Sequence, residues 1–279
     1  MSEVVGLLSG AETVIDLTVG AGGHARALLD AGVGRVVGVD RDELALDQAR
    51  ARLAGMGARF KAVRARFSEV LEVAEEAGVR EAGGVLYDLG VSSLQLDRPE
   101  RGFSYRVEGP LDMRMGEGDL TAADVVNTYP EEELARVIRT YGEERFAGRI
   151  AGAITRARER APLETTRELA AVVAAAVPRR RGGPHPARRT FQAIRIEVNG
   201  ELEELAASLP RAVQLLAPVG RLVVISYHSL EDRIVKAFLR DDEGLEVLTK
   251  KPVRPSAAEA EANPRARSAK LRAAERRAA

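Results

Sequence analysis

The sequence predicts an α/β fold: a parallel, doubly wound sheet interrupted by an inserted all-helical domain. Three observations carry this. Apolar runs of strand length alternate with helix-period segments through the first ninety residues. From Thr121 to Val177 every segment reads as helix. Strand character returns at Arg221–Ser226. Alternation with short turns is the pattern of a parallel sheet covered on both faces, and a purely helical stretch inside it reads as an insertion.

Taken in order, Thr13–Leu17 is a strand, Gly20–Gly23 a tight turn, and Ala25–Leu29 the opening of a helix. Arg35–Asp40 is a second strand. Asp42–Leu53 is a helix whose Leu44, Ala45, Ala49 and Leu53 fall on one side. Arg59–Val63 is a short third strand. Ser68 is expected to cap the next helix, with Val70, Leu71 and Ala74 inward. Gly84–Asp88 is a fourth strand.

In the helical stretch, Thr121 with Asp124 and Thr165 with Glu168 fit capping boxes. Pro130 followed by three Glu marks a helix start, with acids at the positive dipole end. Leu134, Val137, Ile138 and Tyr141 keep helical spacing. Arg179–Pro186 is a basic Gly/Pro loop, and Phe191–Leu216 returns to helix with a bend expected at Pro210. After the strand at Arg221–Ser226, Ser229 is expected to cap a helix with Ile234, Val235 and Phe238 inward. Beyond Pro252 the chain is polar and rich in Ala, Arg and Pro; a flexible tail and a late edge strand near Ser268–Ala273 both fit. The expected boundaries are 1–104 and 193–279 for the α/β domain and 105–192 for the insert.

Composition narrows the function classes. With 279 residues, 45% of them hydrophobic, the chain can bury a sizeable core. The absence of cysteine excludes disulfides and thiolate metal sites. No apolar run approaches the ~18 residues of a membrane span, and no leader-like start is visible, so a cytoplasmic protein without membrane attachment is expected. Net charge is zero but unevenly spread. Arg179, Arg180, Arg181, Arg188, Arg189 and Arg195 occur with no acid among them, and the chain from Lys250 onward holds nine Lys or Arg against three Glu. Such patches suit phosphate backbones or a solvated face.

The chemistry concentrates in two segments. Gly20-x-Gly22-x-x-Ala25, between a strand and a helix, with Asp40 ending the next strand, matches a loose dinucleotide fingerprint. Asp40 is placed to accept hydrogen bonds from ribose hydroxyls. Asp16, just ahead of the glycines, disfavours a pyrophosphate and suits a cationic ligand, which favours S-adenosylmethionine over a nicotinamide cofactor. Asp88 ends the fourth strand. It can accept an N–H of an amine nucleophile, helped by Ser92, Ser93 and Gln95, or it can cap the turn that follows. His228 either contacts a substrate base or helps cap its helix. His24 begins a helix, where its backbone N–H counts for more than its imidazole. His185 sits in the Arg-rich loop. Three separated histidines give no metal site. An NAD-dependent oxidoreductase and a non-catalytic RNA-binding assembly factor are the competing readings.

Taken together, Asp16–His24, Asp88–Asp97, Arg101–Tyr105, Pro110–Met115, Tyr141–Arg145, His185–Ala187, Phe191–Ile196, Val224–Lys236 and Asn263–Arg272 resemble the bacterial small-subunit (16S) ribosomal RNA cytosine-N4 methyltransferases, the RsmH/MraW family. The resemblance implies a class I, Rossmann-like S-adenosylmethionine-dependent methyltransferase sheet with an inserted helical domain. It implies methylation of the N4 amine of a cytidine in the decoding, P-site region, with small-subunit rRNA in the assembled subunit as partner. By motif position Gly22, Gly23, His24, Asp40, Phe67, Asp88 and Gln95 match cofactor-binding residues, Phe67 against the adenine. Asp88, Ser92 and His228 are the expected catalytic residues. Two departures stand out: the His-x-Pro-Val-Leu-type segment ahead of the family's first strand has no counterpart here, and Leu94 stands where the family tends to have Pro.

Overall fold

The structure, a computed structural model, describes residues 1–178 and 185–278. The chain divides into two units, one of residues 1–90 and 202–279 and one of residues 91–201.

The first unit opens with α1 (Ser2–Leu8), β1 (Thr13–Asp16), α2 (Gly23–Asp30), β2 (Arg35–Asp40), α3 (Glu43–Leu53), β3 (Phe60–Arg64), α4 (Val70–Glu76) and β4 (Ala82–Asp88). The second unit holds α5 (Ser93–Asp97), α6 (Ala122–Thr128), α7 (Glu131–Gly142), α8 (Ala147–Arg158), α9 (Thr166–Ala176) and α10 (Arg188–Asn199). The first unit is completed by α11 (Glu201–Leu215), β5 (Leu216–Ser226), α12 (Ser229–Asp241), β6 (Leu245–Val247), α13 (Ala257–Ala262) and β7 (Lys270–Arg276).

The seven strands form one sheet in the order β3-β2-β1-β4-β5-β7-β6. β1 to β5 are parallel neighbours, and β7 runs antiparallel to β5 and to β6. This is a doubly wound, Rossmann-like strand order with one antiparallel strand, β7, set in beside the outer edge. Strand side chains alternate faces. Val14, Val36, Leu86 and Val223 therefore join Leu8, Leu28 and Leu46 on one side, while Ile15, Val37, Val85 and Val224 join Val73, Leu209 and Val235 on the other. Burial on both faces is why these strands read as continuous apolar runs rather than alternating ones. Truncating any of the Leu or Ile side chains among these to Ala costs ~2–5 kcal/mol.

Because β1, β2 and β4 point the same way, Asp16, Asp40 and Asp88 end their strands along one edge of the sheet. Strand order reverses between β1 and β4, which makes this the switch point where open α/β sheets bind ligands.

The helical unit has its own core, built from Phe103, Leu111, Met113, Val125, Leu134, Ile138, Ile150, Leu169, Val173, Phe191 and Ile194. Its caps follow the sequence. Thr121 Oγ1 accepts the Asp124 N–H while Asp124 accepts that of Thr121, and Thr165 and Glu168 repeat the exchange. Each such cap is worth ~1 kcal/mol. Asn199 is buried and clamps a loop: Oδ1 accepts the Met115 N–H at 2.9 Å, and Nδ2 donates to the Met113 carbonyl at 2.8 Å.

Several expectations change in the structure. The units divide at 90/91 and 201/202 rather than at 104/105 and 192/193, because Val91, Leu96, Phe103, Ile194 and Val198 pack into the helical core. Phe191–Leu216 is two helices, not one bent at Pro210. The chain breaks at Gly200, which takes the left-handed conformation (φ 60°) that terminates α10, and Pro210 lies inside α11. Ser68 does not cap α4; it sits in a 3₁₀ turn, where its hydroxyl donates to Glu204 at 2.9 Å. Leu44 is exposed at the second position of α3, and Leu46 takes the inward place. The late strand exists as β7, but it lies inside the sheet, with β6 at the edge.

Candidate active site

The turn between β1 and α2 sets the floor of the site. Gly22 has φ 77°, a region L residues rarely adopt, and a Cβ there meets Leu53 Cδ1 at 3.0 Å. Glycine thus lets the turn sit directly against α3. Gly23 and His24 open α2.

Three carboxylates line the edge. Asp16 is 1% exposed. Its Oδ1 accepts the Thr18 N–H at 3.2 Å, while Oδ2 is buried with no hydrogen-bond partner among the described residues. Burial, reinforced by the charges of Asp88 and Asp40, pushes its carboxyl up to about 7. Asp40 accepts the Gly20 N–H on Oδ2 (3.0 Å) and the Asp42 N–H on Oδ1 (2.9 Å). Burial raises it to about 6, against the lowering effect of those N–H groups. Asp88 is held from both sides: Tyr227 Oη donates to Oδ1 at 2.8 Å, and His24 Nδ1 lies 3.4 Å from Oδ2. Burial raises the Asp88 carboxyl, while His24 and Tyr227 favour its ionised form. Its backbone N–H donates to Thr18 Oγ1, tying the end of β4 to β1. With 27% of its side chain exposed, Asp88 stays within reach of a ligand. Burial lowers the His24 imidazole below its ordinary value, against the raising effect of the neighbouring Asp88 charge.

The other expected site residues take separate places. Phe67 packs edge-on against the buried Tyr87 ring, centroids 5.7 Å apart, two residues beyond Ala65, whose N–H donates to the Asp40 carbonyl. His228, not Ser229, caps α12. Its Nδ1 accepts the Glu231 N–H at 3.5 Å, and the buried Glu231 carboxylate takes the N–H groups of Tyr227 and His228. His228 Nε2 lies 3.1 Å from Glu231 Oε1 but out of line for a hydrogen bond. Ser92 and Gln95 belong to the helical unit and form the capping box of α5, the Ser92 hydroxyl accepting the Gln95 N–H and Gln95 Oε1 accepting that of Ser92. The structure thus brings Asp16, His24 and Asp88 together, with Asp40, at the end of β2, hydrogen-bonded to the same glycine turn.

Sequence reasoning missed Tyr227 and Thr18. Tyr227 follows β5, the neighbour of β4, two residues beyond the partner of Asp88, so strand pairing was the signal that could have found it. Of the expected basic patch, Arg179, Arg180 and Arg181 lie outside the described residues. Arg195 is committed to Glu201 through two hydrogen bonds of 2.7 and 2.8 Å, and Lys270 pairs with Asp232 at 3.0 Å. Among the described residues no cluster of His, Asp and Glu is arranged to hold a metal, and no helix is long and apolar enough to cross a membrane.

A family model described as the MraW methylase family matches residues 1–277. The chain belongs to that family. Two relatives, both named ribosomal RNA small subunit methyltransferase H, come from Deinococcus deserti (54% identical, covering 95% of this chain and 87% of the relative) and Carboxydothermus hydrogenoformans (51% identical, 94% and 91%).

Methylases of this family are S-adenosylmethionine-dependent, and the residues present fit that cofactor. A cation is what a buried, unpartnered carboxylate oxygen such as Asp16 Oδ2 lacks. The Cβ-free turn at Gly22 leaves backbone open to approach.

Proposed function

We propose that this chain methylates the N4 amine of a cytidine in the decoding region of small-subunit ribosomal RNA, in the cytoplasm and on the assembled subunit. The observation that carries the reading is the Asp88 carboxylate, fixed by Tyr227 and His24 at the ligand-binding edge and still partly open. The names of the relatives support ribosomal RNA of the small subunit as the substrate.

In this reading Asp16 and Asp40 hold S-adenosylmethionine, Asp16 toward its positive charge and Asp40 toward its ribose. Gly22, Gly23 and the His24 N–H shape the turn beneath it, and Phe67 and Gln95 complete the cofactor set. When bound, the cofactor supplies an electrophilic methyl group. The protein's own work is then orientation. An exocyclic amine is a poor nucleophile because its lone pair is conjugated into the ring. Asp88 accepts one of its N–H hydrogens, turning the lone pair out of conjugation and toward the donor. Tyr227 and His24 fix the carboxylate plane, so the oxygen that takes this hydrogen does not wander. No strong base is required, because methylation itself acidifies the amine proton. Ser92 and His228 are the further catalytic candidates, Ser92 as a polar contact to the base and His228 as its neighbour at the end of β5.

The test is direct. Small subunits from cells lacking the modification are incubated with the protein and labelled S-adenosylmethionine, and nucleosides are resolved by mass spectrometry. Label in N4-methylcytidine is expected, with assembled subunits a better substrate than free rRNA. Label confined to another nucleoside, or none, overturns the reading.

A further inference from the structure

Two motifs have no part in the site above: Arg101–Tyr105 and His185–Ala187. The helical unit brings them together. Tyr105 and His185 stack with ring centroids 4.8 Å apart and planes 17° from parallel, and Phe191 meets the Tyr105 ring edge-on at 5.7 Å. The pair lines a recess of about 230 Å³.

Its far wall is one face of α9. Arg167, Ala170, Ala171 and Ala174 follow i, i+3, i+4, i+7 spacing, so the three methyls make a flat apolar surface with a guanidinium at its end. The rim is charged: Arg106 lies 5.9 Å from the Tyr105 ring centroid, and Arg167 pairs with Glu108 at 3.2 Å.

The recess is built rather than incidental. Fully buried Thr166 donates its hydroxyl to the Val107 carbonyl at 2.8 Å and accepts the Gly109 N–H at 3.1 Å. The Thr166 N–H donates to the Gly109 carbonyl at 2.9 Å. The segment carrying Arg106, Val107 and Glu108 is therefore pinned to the start of α9. His185 is oriented too. Its Nδ1 accepts the Ala187 N–H at 3.2 Å, which places the proton of the neutral ring on Nε2 and leaves that nitrogen a donor.

A flat apolar wall, two aromatic rings, a ring N–H donor, two guanidinium groups and one carboxylate match a single planar, hydrogen-bonding ring joined to an anion. Unpaired RNA presents that chemistry: bases splayed against aromatic and apolar side chains, with phosphates met by arginine. We propose that this recess is a subsite for one unstacked nucleotide of the RNA, other than the methylated one, with its base against Ala170, Ala171 and Ala174 beside the Tyr105–His185 pair and its phosphate met by Arg106 and Arg167. The proposal rests on the reading that the chain acts on RNA. The anchor holds a flanking residue while the target base is presented elsewhere.

The test uses the full chain and a fluorescein-labelled single-stranded RNA of the decoding-region sequence, with binding read by anisotropy. Ala171→Trp fills the recess from an exposed helix position without changing charge. A double variant, Arg106→Ala with Arg167→Ala, removes the cations, and Arg139→Ala on α7 controls for loss of an exposed arginine elsewhere. Melting curves check that each variant folds. In the parent protein, one abasic position away from the target cytidine is expected to weaken binding at least about fivefold. Ala171→Trp should bind the intact RNA as weakly as the parent binds that abasic RNA, and be indifferent to the abasic change. The double arginine variant should flatten the salt dependence by ~0.7 in log–log slope per lost phosphate contact. S-adenosylmethionine affinity stays at the parental value. RNA affinity equal to the parent's in both variants overturns the subsite, and if their binding to whole subunits falls nonetheless, a peptide ligand takes its place. Methyl transfer by the parent protein, measured alongside, separates this failure from failure of the proposed function.

Discussion

Asp16→Asn should stabilise the unliganded protein and weaken the cofactor. The Asp16 carboxyl sits at about 7 in the fold against 3.8 as an ordinary aspartate. Three units at about 1.36 kcal/mol each make ~4 kcal/mol of stability lost when the group is ionised. The sign follows from the raised value: the contribution is fully present below pH ~4, falls as pH rises from there to 7, and stays lost above 7. Asn removes the charge and keeps the oxygen that accepts the Thr18 N–H. It also places an amide N–H₂ where Oδ2 has no hydrogen-bond partner among the described residues, at ~1–3 kcal/mol. The net gain near pH 8 is then ~1–3 kcal/mol, or ~2–4 °C in Tm for each kcal/mol in a domain of this size. Thermal melts of parent and variant from pH 5 to 8, without cofactor, test it, and calorimetric titration with S-adenosylmethionine at pH 8 supplies the second reading. The stability difference should widen with pH while cofactor affinity falls at least tenfold. A difference that is the same at pH 5 and pH 8 would refute the reasoning, because only an ionising Asp16 makes it grow.

Asp40→Ala should lower S-adenosylhomocysteine affinity at least about tenfold by calorimetry, through loss of charge-assisted hydrogen bonds worth ~1.5–3 kcal/mol, with NAD binding in neither protein. Tyr227→Phe removes the hydroxyl that donates to Asp88 Oδ1. Turnover should fall severalfold at unchanged cofactor affinity, and the acid limb of the pH–rate profile should move to higher pH, since that hydrogen bond favours the ionised carboxylate. Combined with Asp88→Asn, the Tyr227 change should add almost nothing to the loss of turnover. Val219 is a β-branched residue at φ 58° and 60% exposed. Such strain costs ~1–3 kcal/mol, so Val219→Asn, which tolerates that conformation, should raise Tm by a few degrees and leave methylation unchanged.

Much of the fold was legible because each signal was local. The strands of the first half declared themselves by continuous apolar runs, since both faces of the sheet are covered. The capping boxes at Thr121 and Thr165 needed only a residue and its neighbour three positions on. What escaped needed distant partners. Residues 91–104 read as part of the α/β domain because nothing local says that Phe103 packs beside Leu111 and Phe191. β6 is three residues long and exists because β7 pairs with it. In the site, Asp16, Asp40 and Asp88 stood out because each ends an apolar run, which is local information. Tyr227 did not, because its significance is a hydrogen bond across strands to Asp88, 139 residues earlier in the chain. His228 was legible in both its readings: it ends a strand run, and its Nδ1 caps the start of α12 while Nε2 has no hydrogen-bond partner among the described residues.

The three carboxylates also decide which adenosine ligand this edge suits. A helix N-terminus behind a glycine turn usually attracts an anion. Here Asp88 lies 3.4 Å from the side chain of the second residue of α2, Asp40 already occupies the Gly20 N–H, and Asp16 sits unneutralised beneath them. A pyrophosphate laid on this turn meets negative charge in a site too buried for water to screen it, and each unit of repulsion adds to a carboxyl already pushed upward. A cation has the opposite effect. It draws Asp16 back into its ionised form and recovers the stability that ionisation costs the empty fold. Binding is then linked to folding through the same carboxylate, so the stabilisation conferred by S-adenosylmethionine should be largest above pH 7, where the unliganded protein bears the whole cost. A nicotinamide cofactor offers its diphosphate where this edge offers its own acids, which is why the glycine fingerprint, read without Asp16, points to the wrong ligand.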